Sequence, residues 1–570
     1  MQLTFESTHP CVRASTYSLA PATDRPYVIL FDPQGKRRAE LFALAGVHTL
    51  TGRDDTVAVG AWTVEEHPGE ICLSLTVANS LWQRKTIRFR CQAERFSYEI
   101  EVEGRGDLTD VTYFGGYSSA HVRWGSGHFW SWHDWKRGFN PEPTSQEQVY
   151  FNPAASSAID LGGVPLPGKA SWFFTPPPFA FAFGSGKRWV GIGVEAVPCA
   201  NRYSQLTYRA QNGGFAFDLS FDGYTHVDGT YTLPALGFDF APDAYAALGC
   251  HVQALRDQQY AVSPHTADLP AWWNEPIYCG WGSQCHVAAM AGERAPDFAR
   301  QPLYEEFLGA LEHHGIVPGI VVLDDKWQLT YGDNRVDPAK WHDLRGFIDA
   351  QHAAGRKVLL WLKAWDAEGI PADECITNAA GVKLAVDPTN PAFEQRFRES
   401  IRVMLQDYDA DGFKLDFTAR IPTSPGLRLY ENVWGLELMK RYLSILYSAA
   451  KSVKRDALVM AHTPHPYLAD VLDMIRLNDV NAGKPVNPAM THRARVAALA
   501  CPSALIDTDN WQMPDKAAWR AYVQLQPALG VPSLYYATHI DSTGEALTED
   551  DYALVRAAWA QYRKEHACTG

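Results

Sequence analysis

Lys414 and Asp416 stand two apart in the run Ala410-Asp411-Gly412-Phe413-Lys414-Leu415-Asp416-Phe417. In a β-strand alternate residues share a face, so an ammonium and a carboxylate project together while Phe413, Leu415 and Phe417 line the other side. A carboxylate beside a cation stays ionised and can act as a nucleophile. The same two residues could equally form a buried ion pair with no chemistry attached. Three more apolar runs finish in acids: Asp324 and Asp325, then Asp479 just past a segment carrying Arg476, then Asp507 with Asp509. One terminal aspartate is commonly the N-cap of the helix that follows. Four such ends, two with a cation beside them, exceed what capping requires. Carboxylates so concentrated repel one another unless cations and a hydroxyl-rich ligand offset them, which points to a polyhydroxylated ligand. A divalent metal would also offset them, but no histidine cluster shares these strand ends, so neither a metal nor another cofactor is expected.

The elements that carry these acids alternate strand and helix. Eight candidate strands follow residue 275: Ile277–Trp281, Ile320–Asp325, Lys357–Leu362, Asp411–Asp416, Ala457–Ala461, Met474–Asn478, Ser503–Asp507 and Ser533–Tyr536. Amphipathic stretches such as Tyr304–His314, Phe393–Leu405, Leu436–Ser448 and Lys516–Leu525 fall between them. Eight such units in this length predict a (β/α)8 TIM barrel, whose sites lie at the carboxyl ends of its strands. The gap between the fifth and sixth strands leaves little room for a helix, and little chain remains after the last one. Ahead of residue 260 the period is two, as in Glu70–Val77 and Phe96–Val102, with turn clusters of Gly, Asp and Pro between, which predicts a large β-sandwich. The expected organisation is therefore multidomain, an N-terminal all-β sandwich over 1–265 and a barrel over 266–570, joined through Leu269–Pro276.

Composition narrows the function classes. A formal charge of −14, with no clustered basic run, argues against nucleic acid. No apolar stretch reaches membrane-spanning length and the first residues carry no signal-peptide pattern, so a cytoplasmic protein is expected. The ten cysteines show no CxxC pair and read as core thiols of a reducing compartment. Oligomeric state is left open.

Gly412-Phe413-Lys414-Leu415-Asp416-Phe417 resembles the nucleophile strand of glycoside hydrolase clan D, the retaining α-glycosidases of (β/α)8 fold. Its continuation Thr418-Ala419-Arg420-Ile421-Pro422-Thr423 resembles the α-xylosidase branch of family thirty-one. Val322-Leu323-Asp324-Asp325-Lys326-Trp327, followed by Tyr331-Gly332-Asp333, is similar to the paired-Asp strand of family thirty-six α-galactosidases. Asp473-Met474-Ile475-Arg476-Leu477-Asn478-Asp479 is similar to their acid/base segment, and Leu505-Ile506-Asp507-Thr508-Asp509 to their seventh strand. The resemblance spans about 275–545. It departs at Asn334, where the α-galactosidases carry tryptophan, and in lacking the usual C-terminal β-domain.

The resemblance implies an exo-acting retaining α-glycosidase, with α-galactosides as the leading substrates and α-glucosides or α-xylosides next. It makes Asp416 the nucleophile and Asp479 the general acid and then base. Arg476 would contact sugar hydroxyls or steady Asp479, and Lys414 would hold the charge of Asp416. Asp324 and Asp325 would accept from sugar hydroxyls, two adjacent acceptors suiting an axial O4 beside O6, and Asp507 would add another. Trp281, Trp327 and Trp361, with Trp365, are candidates for stacking on the sugar or for core packing, and His539 for a hydroxyl contact. The aromatic run Phe129–Trp135 could close over the barrel mouth or fill an interdomain contact. A transglycosylase, a non-catalytic sugar-binding protein and a metal-dependent barrel lyase or isomerase stay open as alternatives.

Overall fold

The computed structural model describes the chain except residues 1–3, 8–9, 120–125, 140–147, 151–158, 162–175, 212–213, 264–268, 419–420, 424, 481–482, 484 and 567–570. The first half forms two sheets, antiparallel but for the parallel pairing of Ser118 with Thr56. One runs Thr4–Glu6, Cys11–Arg13, Ser18–Pro21, Tyr27–Phe31, Arg37–Phe42 and Trp132–His133; the other is larger and branched. Alternation sets the buried faces: along Tyr27–Phe31, Val28 and Leu30 are buried and their neighbours half-buried. The segments read as alternating lie within strands Glu70–Asn79 and Arg95–Tyr113.

One element of this half was not foreseen. Ala244–Asp257 is an α-helix, N-capped by Asp243, whose side chain accepts from the Ala246 N–H at 2.9 Å. Its buried residues Ala244, Ala247, Leu248, His251, Val252 and Leu255 recur at helical spacing. The helix packs on strands Arg188–Glu195 and Ala235–Ala241 and touches the barrel helix Val486–Ala500, so it is wedged between the two halves. Leu269–Pro276, read as a linker, is no free tether: Trp273 is buried and donates its indole N–H to the Asp456 carbonyl at 2.9 Å. The proposed boundary at 265/266 lies outside the described residues.

The second half is a ring of eight parallel strands: β1 (Ile277–Cys279), β2 (Ile320–Leu323), β3 (Lys357–Lys363), β4 (Gly412–Asp416), β5 (Leu458–Ala461), β6 (Met474–Arg476), β7 (Leu505–Asp507) and β8 (Ser533–Leu534). All eight predicted strands are present, most of them shorter than expected. β8 pairs with β1 through Ser533↔Ile277, and a parallel bridge from Asp507 to Val531 completes the ring. Leu359↔Gly412 and Lys363↔Asp416 fix the register of β4 against β3. Gly412 lets β4 lie close to β5, since a Cβ there would overlap the Leu458 carbonyl oxygen. Between β5 and β6 only the 3-10 turn Pro466–Leu468 intervenes, as the short gap foretold. The β3–β4 connection adds an unforeseen hairpin, Cys375–Thr377 with Lys383–Val386.

None of the nine described cysteines is in a disulfide. Among the described residues no helix is long and apolar enough to cross a membrane.

Candidate active site

Side chains inside a small barrel come in layers drawn from alternate strands, and this decides who meets whom. Lys414 and Asp416 do share a face of β4, but two residues of a strand differ by roughly 6–7 Å in height. Lys414 therefore lies a layer below the mouth. Its Nζ donates to Asp324 Oδ2, at the end of β2, at 2.6 Å, and sits 5.1 Å from the Tyr535 ring centroid just past β8. Burial alone would disfavour the ammonium, but Asp324, with smaller contributions from Cys279 and Asp416, outweighs it and raises the Lys414 pKa. The same Asp324 oxygen accepts from the Cys279 thiol at 3.0 Å, and Oδ1 accepts from the Asp325 N–H at 2.8 Å. Asp324 is thus buried, engaged on both oxygens and the counter-ion of Lys414. The ion pair that the sequence allowed exists, with Asp324 rather than Asp416 as partner.

Asp416 occupies the upper layer and is 8% exposed. Trp361 of β3 donates its indole N–H to Oδ2 at 3.1 Å, and the Phe417 N–H donates to Oδ1 at 2.9 Å. His462, immediately after β5, brings Nε2 to 3.3 Å of Oδ1, and Arg476 of β6 brings Nη1 to 3.6 Å. Burial pushes the carboxyl up, but Arg476, with smaller contributions from His462, Lys414 and the indole, outweighs it and holds Asp416 below the usual carboxylate range. His462 is itself driven down to about 3 by burial and by Arg476, so it is a neutral imidazole at neutral pH.

Asp479 lies three residues past the Arg476 that pairs with it through Nη2. A quarter of its side chain is open. Burial raises its carboxyl to about 7, Arg476 opposing and Asp509 and Asp416 adding to the rise. The two acids therefore stand on one guanidinium and are pushed in opposite directions, one towards the anion and one towards the neutral acid. The loop that carries Asp479 is fastened by Arg493 of the helix Val486–Ala500, whose Nη1 donates to the carbonyls of Leu477, Asn478 and Asp479 at 3.2, 3.0 and 2.7 Å.

Arg476 is buried among three carboxylates, the third being Asp509, whose Oδ2 lies 2.5 Å from Nε. Of the two roles expected of Arg476, contacting sugar hydroxyls or steadying Asp479, its pairing with Asp479 agrees with the second. Replacing Arg476 by methionine strands Asp509 in the interior, and removing one partner of a buried pair costs about 3–5 kcal/mol. We expect a loss of that size in urea unfolding of Arg476→Met.

The other candidates divide. Asp325 is half-buried and accepts from the Tyr331 hydroxyl at 2.8 Å. Burial raises it to about 7, Tyr331 opposing and Asp324 adding. Asp507 is fully buried at the closing seam, where its Oδ1 takes the Ser533 hydroxyl and the Asp509 N–H, the latter at 3.1 Å. Burial and Asp509 lift it to about 6, and the parallel bridge from Asp507 to Val531 places it where the ring closes. Trp327 is fully buried with its indole on the Trp361 carbonyl at 2.8 Å, and Trp365 is buried with its indole on the Thr418 carbonyl at 2.6 Å. Neither forms a stacking platform. Trp281 does not end β1 but opens the helix Trp281–Ala291, half-buried and edge-on to Trp511 at 5.8 Å. His539 stacks on His286, centroids 4.2 Å apart. Asn334 is buried and receives the Gln328 amide at 3.3 Å.

Strained backbone rims the mouth. Lys326, Trp365, Phe417, Asn478 and Asp509 all have positive φ (73, 67, 60, 72 and 37°) and follow β2, β3, β4, β6 and β7. Such conformations cost about 1–3 kcal/mol each in non-glycine residues and gather where geometry is imposed by function. At Phe417 the turn aims its own N–H at Asp416; beyond Asn478, the Asp479 N–H reaches the Asn478 side-chain oxygen at 2.8 Å. His462 and Arg493 carry no motif in the sequence, and Tyr331 stands there only inside the Tyr331-Gly332-Asp333 segment, with no role attached. For His462 the available signal is a histidine directly after the β5 run.

No protein-family model matches the chain, and no curated protein matches its sequence. Solved structures do match its fold. An α-galactosidase from Thermus thermophilus, in complex with p-nitrophenyl α-D-galactopyranoside, superposes with a TM-score of 0.53 at 13% identity over 88% of this chain and 95% of that one. A family thirty-one sulfoquinovosidase from E. rectale, bound to an aza-sugar inhibitor, gives 0.59 at 13% identity over 96% and 83%. An α-galactosidase from Lactobacillus brevis gives 0.53 at 11% identity over 99% and 84%. The chain has the fold of these enzymes, a β-sandwich domain followed by a (β/α)8 barrel.

Proposed function

We propose that the chain is a retaining exo-α-glycosidase with Asp416 as nucleophile and Asp479 as acid/base. The observation that carries this reading is the pair of carboxyls on Arg476, one held ionised and the other near neutrality. In the first step the Asp416 carboxylate attacks the anomeric carbon, the glycosidic C–O bond breaks, and Asp479 gives its proton to the departing oxygen. In the second, the Asp479 carboxylate takes a proton from water, the water oxygen bonds to the anomeric carbon, and the ester bond to Asp416 breaks. An acceptor hydroxyl in place of water would make the same residues a transglycosylase. Asp325 and Tyr331 are the polar groups proposed to meet sugar hydroxyls.

α-Galactosides are the leading substrate class, supported by the paired-Asp and acid/base segments and by the fold shared with α-galactosidases, one of them solved with stachyose. α-Glucosides or α-xylosides are the second reading. The occupation of Asp324 by Lys414 favours it, because the two adjacent free acceptors suited to an axial O4 are reduced to Asp325. The test compares p-nitrophenyl α-galactoside, α-glucoside and α-xyloside and follows the first sugar released by proton NMR. We expect the α-anomer to appear first. Release of the β-anomer, or turnover of none of the three, overturns the assignment.

A further inference from the structure

The aromatic run Phe129–Trp135 takes no part in the barrel mouth. His133 and Trp135 stack on each other at 4.4 Å, and Trp135 on Phe183 at 5.0 Å, inside the β-domain. Trp130 turns the other way and borders a cavity of about 780 Å³ lined wholly by β-domain residues, a size typical of small-ligand sites.

The facing wall is one side of a sheet. Strand pairing sets Asp110, Ser220 and Gln205 in one row and Thr112, Asp218 and Thr207 in the next. The residues between them along the strands, Val111, Leu219 and Leu206, are buried in the core, so the period-two pattern delivers an entirely polar face into a concavity. Thr112 Oγ1 donates to Asp218 Oδ1 at 2.7 Å, and Arg209 pairs with the other oxygen of Asp218. Arg209 also lies 5.8 Å from the Trp130 ring, and His128 continues that flat aromatic strip, 6.2 Å away and tilted by 12°. Two arginines, Arg53 and Arg209, balance two aspartates, Asp110 and Asp218. Burial leaves His48 with a lowered pKa, and so without charge at neutral pH. A balanced lining favours neither an anion nor a cation. Closely spaced donors and acceptors beside an aromatic strip suit a neutral ring bearing many hydroxyls.

We propose that this groove is a second sugar site, binding a neutral oligosaccharide apart from the barrel. The proposal rests on the reading of the chain as one that acts on glycosides. Calorimetry of the full chain carrying Asp416→Asn, titrated with α-galacto-, α-gluco- and α-xylo-oligosaccharides of two to four units, tests it. We expect two sugars bound per chain, falling to one with Trp130→Ala or with the cavity-filling Thr207→Trp. Trp130→Phe, which keeps a flat ring, should stay within about tenfold of the parent affinity, or 1.4 kcal/mol. With Asp416 intact, the groove variants should turn over p-nitrophenyl glycosides at the parent rate.

Unchanged stoichiometry in both groove variants, with circular dichroism showing them folded, overturns the proposal. So does binding of sulfated or phosphorylated sugars in preference to neutral ones, or binding of no sugar. If p-nitrophenyl glycosides are not hydrolysed yet one bound sugar disappears with Trp130→Ala, the catalytic reading falls and the groove stands. Normal turnover with stoichiometry insensitive to Trp130 and Thr207 has the opposite meaning.

Discussion

Asp416→Asn is expected to lower kcat/KM on an activated α-glycoside by about 10⁴- to 10⁶-fold, the scale on which removing a nucleophile acts, while sugar affinity stays within a few-fold. The amide is isosteric, and its one carbonyl oxygen can keep the hydrogen bond from either Trp361 Nε1 or the Phe417 N–H, so the side chain stays close to its place. What disappears is the anion that bonds to the anomeric carbon. The smaller Asp416→Gly opens space for an external nucleophile, and azide should restore measurable turnover, with a β-glycosyl azide as product because a single displacement inverts the centre. Product identity by NMR checks this. Near-normal turnover in Asp416→Asn, or loss of sugar binding together with activity, would remove Asp416 from the role.

The second large effect concerns pH. Asp479 must carry a proton in the first step, and its carboxyl lies at about 7. The rate of that step should therefore fall as pH rises through about 7, tenfold per unit well above it. Asp416 must be ionised and sits below its ordinary 3.8, so the acid limb should lie below that value. Both limbs belong to the pair, since Arg476 touches both groups. Asp479→Asn should abolish the alkaline limb and slow natural glycosides by about 10²- to 10⁴-fold. p-Nitrophenolate leaves without a proton, so its release should persist as a burst, followed by slow hydrolysis of the glycosyl ester that no base now assists. A pH–rate profile with and without Asp479 checks this; an alkaline limb that survives the substitution would assign it to another group.

The neighbourhood that produces these shifts is dense in charge. Arg476 alone faces Asp416, Asp479 and Asp509, and Lys414 is committed to Asp324 beneath them. The positive-φ turns after five of the strands hold these groups where local preference alone would not. Such a rim is the kind of strain that a rigid barrel can sustain.

Local pattern in the sequence was enough to place all eight barrel strands and the all-β character of the first half, because apolar runs and period-two alternation are properties of neighbours along the chain. It also placed acids at strand ends and put Lys414 on the same face as Asp416. The helix Ala244–Asp257 carries ordinary helix signals, the Asp243 cap, four alanines and Arg256 in its last turn, but it stands alone at the end of a long run of strands, where period-two alternation dominates the pattern. Partners escaped for a different reason. A strand's sequence fixes which side of the sheet a residue faces, but not how high it stands in the barrel or which strand lies across from it. Ring order, layer height and closure at Asp507–Val531 decided that Lys414 meets Asp324, that Asp507 braces the seam, that Trp361 and His462 flank Asp416, and that Arg476 joins the two acids. Those are contacts between residues far apart in the chain, and only the closed barrel brings them together.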